Sequence, residues 1–281
     1  YDNDGDKDVV IMGQSNVLGA VTKLYKNDNG SFVDTNTSFK KLYDGDINWV
    51  DLNKDGNIDL VASGYNQVPE TRVYINNGKF FINKSSAYGL PALFSSKMAW
   101  GDLDNDGDID LAFSGIDKDD NYVFDIYYRE DGKENFIKES GFNFQGFVNG
   151  DLKIADFDSD GDNDIIYSGE NSSGNPVGGI IYNSYIKSTN SNNWNSGSVN
   201  LKKSSIELAY FKDFGGMGYV VIGEDGSESL KTNTTFIQPI PKPELKDGDI
   251  SIADFNNDGR LDFVFTGEDS IGSPVSELYV A

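Results

Sequence analysis

A nine-residue acidic pattern, Asp-x-Asp/Asn-x-Asp-Gly-x-x-Asp, returns along this chain at near-constant spacing. Self-similarity at a fixed period constrains a fold more than any single local signal. Aligned on the fifth position of the pattern, the copies fall at Asp4, Asp55, Asp106, Asp160, Phe214 and Asp258, at intervals of 51, 51, 54, 54 and 44 residues. A glycine repeats in step, at Gly13, Gly64, Gly115, Gly169, Gly223 and Gly267. Each copy reads alike. A short apolar segment leads in, three times behind a Gly-Asp pair; the acidic loop follows; then comes an apolar run such as Leu60-Val-Ala62 or Ile165-Ile-Tyr167. Runs without alternation are strands buried on both faces. A polar turn leads to a third strand, marked by Tyr25, Tyr74, Tyr127, Tyr182 and Tyr279. Asn29-Gly30, Asn77-Gly78 and Asp131-Gly132 then open hairpins into a short fourth strand.

Four antiparallel strands in a repeat of about 40–50 residues is the pattern of a propeller blade. The fold class is therefore all-β: a β-propeller of four-stranded antiparallel blades, six copies visible, in a six- or seven-bladed ring with truncated ends. Residues 1–281 are expected to form a single β-propeller domain. Tyr1 falls inside an acidic loop, so the chain reads as a fragment of a longer one, with any export signal upstream. Starting after a first strand and ending in a third, it should hold 22 strands. The stretch Asn183–Ser205, rich in Asn and Ser and containing Trp194, reads as a long surface excursion.

The loops carry the chemistry. The third is Asp102, Asp104, Asp106, Asp108 and Asp110 at positions 1, 3, 5, 7 and 9, with Gly107 at position 6. The second is Asp51, Asn53, Asp55, Asn57 and Asp59; the fourth is Asp156, Asp158, Asp160, Asp162 and Asp164; the sixth is Asp254, Asn256, Asp258, Arg260 and Asp262. The first keeps Asp2, Asp4, Asp6 and Asp8. Acids this close repel unless a cation sits among them. An oxygen-only set rich in carboxylates suits Ca²⁺, which takes about 6–8 oxygens in flexible geometry. Positions 1, 3, 5 and 9 are assigned as side-chain ligands. Position 7 reads Asp, Asn, Asp, Asp and Arg, so it is assigned its backbone carbonyl. An EF-hand needs a Glu at position 12, where Ala62, Phe113, Tyr167 and Phe265 stand instead. The fifth copy has Tyr210, Lys212, Phe214, Gly216 and Gly218 in these places, and no ion is expected there, while its strands persist. About five Ca²⁺ sites are expected in all.

These residues resemble the FG-GAP/VCBS-type repeats of bacterial surface and secreted proteins and the calcium-loop blades of integrin α-subunit propellers. The resemblance implies Ca²⁺ in the loops, a commonly seven-bladed ring, and a role in adhesion, recognition or attachment to larger proteins. Some carbohydrate-active enzymes are similar propellers.

Composition narrows the function classes. Net charge is −23, of which five Ca²⁺ would leave −13. Such a balance excludes a nucleic-acid partner, which needs a basic face, and simple attachment to anionic lipid. No apolar run approaches the roughly 18 residues of a membrane helix. There is no cysteine and no histidine, so disulfides, Ser-His-Asp and Cys-His systems and His-ligated zinc are unavailable. The expected function is a calcium-stabilised, non-catalytic recognition, adhesion or scaffolding module of a secreted or cell-surface protein, with a protein or glycan ligand and other domains of its parent chain as partners. The alternative is a polysaccharide-active lyase or glycosidase on the same scaffold. Tyr65, Tyr122 and Trp194 are the candidate sugar-stacking aromatics.

Overall fold

The computed structural model describes residues 1–130, 132–186, 191–196, 205–211, 216–222, 229–232, 245–269 and 271–280. They form 21 strands and one helical turn, Ser85–Tyr88. Every sheet is an antiparallel meander in chain order. Sheet one is β1 (Val9–Ser15), β2 (Gly19–Asp28) and β3 (Ser31–Asp34). Sheet two is β4 (Tyr43–Val50), β5 (Asp59–Asn66), β6 (Val68–Asn76) and β7 (Phe81–Asn83). Sheet three is β8 (Phe94–Gly101), β9 (Asp110–Ile116), β10 (Tyr122–Arg129) and β11 (Phe136–Lys138). Sheet four is β12 (Val148–Ala155), β13 (Asp164–Glu170), β14 (Pro176–Ile186) and β15 (Ser191–Ser196). Sheet five is β16 (Ser205–Phe211), β17 (Gly216–Ile222) and β18 (Ser229–Thr232). Sheet six is β19 (Lys246–Ala253), β20 (Asp262–Glu268) and β21 (Pro274–Tyr279). The expected fourth strand of copy five, at Phe236-Ile237, lies outside the described residues, and this accounts for the difference from 22.

Two compact units divide the chain: Tyr1–Trp100 with Asp108–Gly146, and Gly101–Gly107 with Phe147–Ala281. In the first, Leu24, Phe39, Leu60 and Tyr74 pack sheet one on sheet two, and Leu52, Val61, Val73, Leu111, Phe113 and Phe136 pack sheet two on sheet three. In the second, Phe157, Ile166, Ile206 and Tyr219 join sheets four and five, and Val220, Ile250 and Phe265 join five and six. The apolar runs of β5, β9 and β13 are buried on both faces, as continuous apolar strands require. β1 departs from this expectation: Val9 is 38% and Ile11 43% exposed, on the face opposite Val10, which packs into the core between sheets one and two.

Two readings of the sequence are corrected. Asn183–Ile186 continues β14, and Ser191–Ser196 pairs with it as an edge strand rather than forming a loose excursion. Backbone pairing at a sheet edge needs no apolar side chains, so composition concealed it. Tyr182 is also out of register with its supposed equivalents. Tyr25, Tyr74, Tyr127 and Tyr279 sit opposite Val9, Leu60, Leu111 and Phe263, but in copy four Ile181 takes that place, opposite Ile165.

The Gly-Asp pairs have a purpose. A Cβ on Gly45 would lie 2.1 Å from the Ser63 carbonyl oxygen, and one on Gly150 1.8 Å from that of Ser168. The Asp46 that follows accepts the N–H of Met98 on the next lead strand at 2.9 Å, and Asp151 that of Ile206 at 2.9 Å. Gly45→Ala is expected to destabilise the fold by about 1–3 kcal/mol through overpacking against backbone, read as a lowered urea midpoint.

Candidate metal centre

Each acidic loop joins the lead strand to the second strand of its sheet, and one hydrogen-bond scheme recurs. The position 1 carboxylate accepts the N–H groups of positions 5 and 6: Asp55 and Gly56 on Asp51 at 3.2 and 3.0 Å, Asp160 and Gly161 on Asp156 at 3.2 and 3.1 Å, Asp258 and Gly259 on Asp254 at 3.1 and 2.8 Å. Gly107 N–H reaches Asp102 at 2.9 Å. Position 3 also accepts the position 5 N–H, at Asn53, Asp104, Asp158 and Asn256. The position 5 carboxylates of Asp4, Asp55, Asp160 and Asp258 accept the position 7 N–H. The turn closes through two left-handed residues. One is the glycine at position 6, with φ of 83 to 97°; the other is position 4, where Asn3, Lys54, Asn105, Ser159 and Asn257 have φ of 57 to 64°.

Position 9 begins the second strand and is buried at Asp59, Asp110, Asp164 and Asp262. Asp59 accepts Leu52 N–H at 2.9 Å and Asn76 N–H at 2.7 Å; Asp164 accepts Phe157 N–H at 2.9 Å and Asn183 N–H at 2.8 Å. Each carboxylate oxygen has a second lone pair, so these bonds leave room for a cation.

In the fourth loop, carboxylate oxygens of Asp156, Asp158 and Asp164 lie within 4.8 Å of one another. Oxygens held about 2.4 Å from one Ca²⁺ are separated by at most about 4.8 Å, so the three suit a single ion. Asp160 is not in that group, and its carboxylate is turned to the Asp162 N–H at 2.9 Å. The third loop is divided between the units, Asp102, Asp104 and Asp106 in one and Asp108 and Asp110 in the other. Asp102 Oδ1, and Asp2 Oδ1 in the first loop, are buried without a hydrogen-bond partner. An orphaned carboxylate oxygen is costly unless a cation meets it, and this donor set fits Ca²⁺. The first loop has an internal cation as well: Lys26 Nζ lies 2.6 Å from Asp2 and 3.0 Å from Asp4. In the fifth copy, Lys212, Phe214 and Gly223 lie outside the described residues; β16 and β17 are present and pair, Tyr210 opposite Met217.

Position 7 side chains turn away to neighbouring loops. Asn105, at position 4 of the third loop, donates to Asp162 of the fourth at 2.5 Å. Lys54 of the second pairs with Asp108 of the third, and Asn3 of the first donates to Asn57 of the second at 3.5 Å. In these three pairs position 4 of one loop thus meets position 7 of the next, while Asn57 also donates to Asp55 of its own loop at 3.0 Å. Another recurrent group escaped the sequence reading. Asn76 donates its side-chain amide to the Tyr1 carbonyl at 2.8 Å, Asn183 to that of Leu103 at 2.8 Å, and Arg129 to that of Leu52, each carbonyl at position 2 of the preceding loop. An Asn two residues beyond the repeat tyrosine, in Tyr25-Lys-Asn27 and Tyr74-Ile-Asn76, was the available signal. Of the candidate stacking aromatics, Tyr65 and Tyr122 are half-buried, and Tyr65 packs on Tyr43 and Phe94. The side chain of Trp194 lies outside the described residues.

Burial pushes the carboxyls of Asp59, Asp104 and Asp164 up to about 6, and neighbouring acids add to it against the opposing pull of their backbone N–H donors. Asp108 ends below its ordinary range: burial pushes it up, but Lys54 and Arg129 together outweigh that. An unfolded Asp titrates near 3.9. The three raised groups therefore favour the metal-free fold most below about pH 4, and that contribution is lost as pH rises through about 6. Calcium-depleted protein should melt at a higher temperature at pH 5 than at pH 7, whereas calcium-loaded protein should show the opposite trend as protons displace the ion. A depleted protein whose melting point falls between pH 7 and 5 would contradict this assignment.

Repeated four-stranded antiparallel meanders, packed sheet on sheet, define the blade-repeat class of all-β proteins, the β-propellers. A solved structure of a triple arginine-to-alanine mutant of AofleA from Arthrobotrys oligospora has this fold, with a TM-score of 0.53 at 12% identity over 93% of this chain and 76% of that one. The chain carries FG-GAP-like repeats: residues 1–62 and 51–113 match that family model, and the fourth and sixth copies continue its motif. An Asn-to-Gln mutant of Aleuria aurantia lectin in complex with Fucalpha1-6GlcNAc aligns with a TM-score of 0.45 at 12% identity, over 92% of this chain and 84% of that one. A thermostable family-43 glycoside hydrolase aligns at 0.33 and 12% identity, over 79% and 84%. No curated protein sequence matches the chain. Among the described residues no helix is long and apolar enough to cross a membrane.

Proposed function

We propose that the acidic loops bind Ca²⁺ and that the ions brace a non-catalytic recognition or scaffolding propeller of a secreted or cell-surface protein. The observation that carries the reading is the convergence of Asp156, Asp158 and Asp164 oxygens within the span of one coordination sphere. The orphaned Asp102 oxygen supports it. The loops are formed by their own hydrogen bonds, so an ion would cancel acid repulsion and tie the position 9 strand to the turn. Weak oxygen-only sites fill at the millimolar calcium outside cells, which supports an extracellular setting. The lack of histidine and cysteine supports a binding rather than a catalytic role.

Equilibrium dialysis tests the count. Wild-type protein should bind about five Ca²⁺ in the millimolar range, the first loop filling last because Lys26 must be displaced. Asp158→Ala should remove one ion without loss of the fold. No bound calcium at several millimolar, or an unchanged count in Asp158→Ala, would refute the assignment.

A further inference from the structure

We propose that the crevice between sheets one and two is a binding site for an acidic carbohydrate. This goes beyond the bracing role of the loops. The crevice encloses about 970 Å³, between the connection that follows β3, the face of β6 and the β6–β7 turn. That volume is at the upper end of ordinary small-ligand sites, about 300–1,000 Å³.

Its charge runs against the rest of the chain. Acids outnumber bases 46 to 23 overall, yet the walls carry Lys40, Arg72 and Lys79 against one acid, Asp2, which is engaged by Lys26. Behind the wall a single carboxylate, Glu70, serves both Lys40, at 2.5 Å, and Arg72. One acid shared by two cations leaves positive charge facing the crevice, and exposed Lys79 adds to it. A planar guanidinium beside an ammonium is suited to a carboxylate or sulfate group.

The remaining surfaces suit a sugar ring. Phe80 is 59% exposed at the rim, and Phe39 packs edge-on against Tyr74 and Phe81 beneath it, with ring centroids at 4.8 and 5.2 Å. Aromatic faces accept the apolar C–H face of a pyranose. The Tyr74 hydroxyl accepts the Lys40 N–H at 2.7 Å, which leaves its own proton to donate, and burial keeps that phenol neutral. The Thr35 and Thr37 hydroxyls, 2.7 Å apart, also line the crevice. An aromatic floor, hydroxyl walls and surplus cations are together the complement of a sugar that bears an anion.

Isothermal titration with tetragalacturonate in calcium buffer tests the site, with maltotetraose as neutral control and tetraglutamate as acidic peptide. Saturable binding of the acidic sugar is expected, with maltotetraose weaker by about ten-fold or more, as loss of charged hydrogen bonds implies. Arg72→Gln should weaken binding by about ten-fold. Lys79→Gln, at an exposed position that no fold contact needs, should weaken it by about three-fold, the scale of an exposed charge pair. The rise in melting point that calcium brings should be the same in both variants as in wild type, which separates this site from the loops. The proposal is overturned by absence of binding up to about 10 mM, by unchanged affinity in the Arg72→Gln/Lys79→Gln double variant, or by equal or tighter binding of either control.

Discussion

Removing calcium with EDTA is expected to lower the melting temperature by more than about 10 °C, and Ca²⁺ but not Mg²⁺ should restore it. At 5 mM calcium a site with a dissociation constant of roughly 1 mM stabilises the fold that binds it by about 1 kcal/mol. For a protein of this size each kcal/mol moves the midpoint by about 2–4 °C. Five filled loops together account for the expected shift. The ion choice follows from geometry. Mg²⁺ demands near-octahedral ligands at about 2.0–2.1 Å and dehydrates reluctantly. Here the position 1 oxygens are tied to the N–H groups of positions 5 and 6, and the position 9 oxygens to those of Leu52 and Asn76 or of Phe157 and Asn183. Ligands fixed in this way suit the flexible coordination of Ca²⁺ better than a strict octahedron. Equal melting curves in EDTA and in 5 mM calcium would remove the basis of the proposed function; equal rescue by Mg²⁺ would leave a divalent site and overturn the selectivity argument.

Arg129→Ala should be among the most damaging single substitutions, at about 3–5 kcal/mol, the range for removing one partner of a buried ion pair. The Arg129 side chain is 7% exposed and that of Asp108 1%, with Nη2 to Oδ1 at 2.9 Å. The same guanidinium donates to the carbonyl of Leu52, 77 residues earlier in the loop between β4 and β5. Alanine would leave Asp108 buried with Lys54 as its remaining cation and would strip Leu52 of its donor. Arg129→Asn should cost less, because Asn76 and Asn183 make the equivalent carbonyl bond in their own copies. The loss should also be similar with and without calcium, since the Asp108 side chain is taken up by Arg129 and Lys54. Urea titrations of the three proteins check this; an alanine variant within about 1 kcal/mol of wild type would show that the pair is dispensable.

Much of this was legible in the repeat. Continuous apolar runs predicted β5, β9, β13 and β20, and the acidic loops fell between the lead and second strands as expected. The position 7 side chains of Asp108 and Asp162 meet Lys54 and Asn105 of the preceding loops, a contact no single copy could show. Three things were not legible. β15 carries few apolar residues, and its pairing depends on backbone alone. The tyrosine of copy four slipped by one, because periodicity in β14 does not say which residue faces Ile165. The cations of the crevice are far apart in sequence, at Lys40, Arg72 and Lys79, and only folding assembles them.

By itself the sequence determined the unit: its length, its strand order, and a turn whose acids and glycine would suit a cation. Those are local properties, set by side-chain chemistry and backbone conformation over a few residues. Only the tertiary structure decided how units meet: Asp46 reaching Met98, Asn105 reaching Asp162, Arg129 reaching Leu52. Such contacts join residues about fifty or more positions apart, and a repeat that resembles itself cannot show which of its side chains look inward and which look to the next copy.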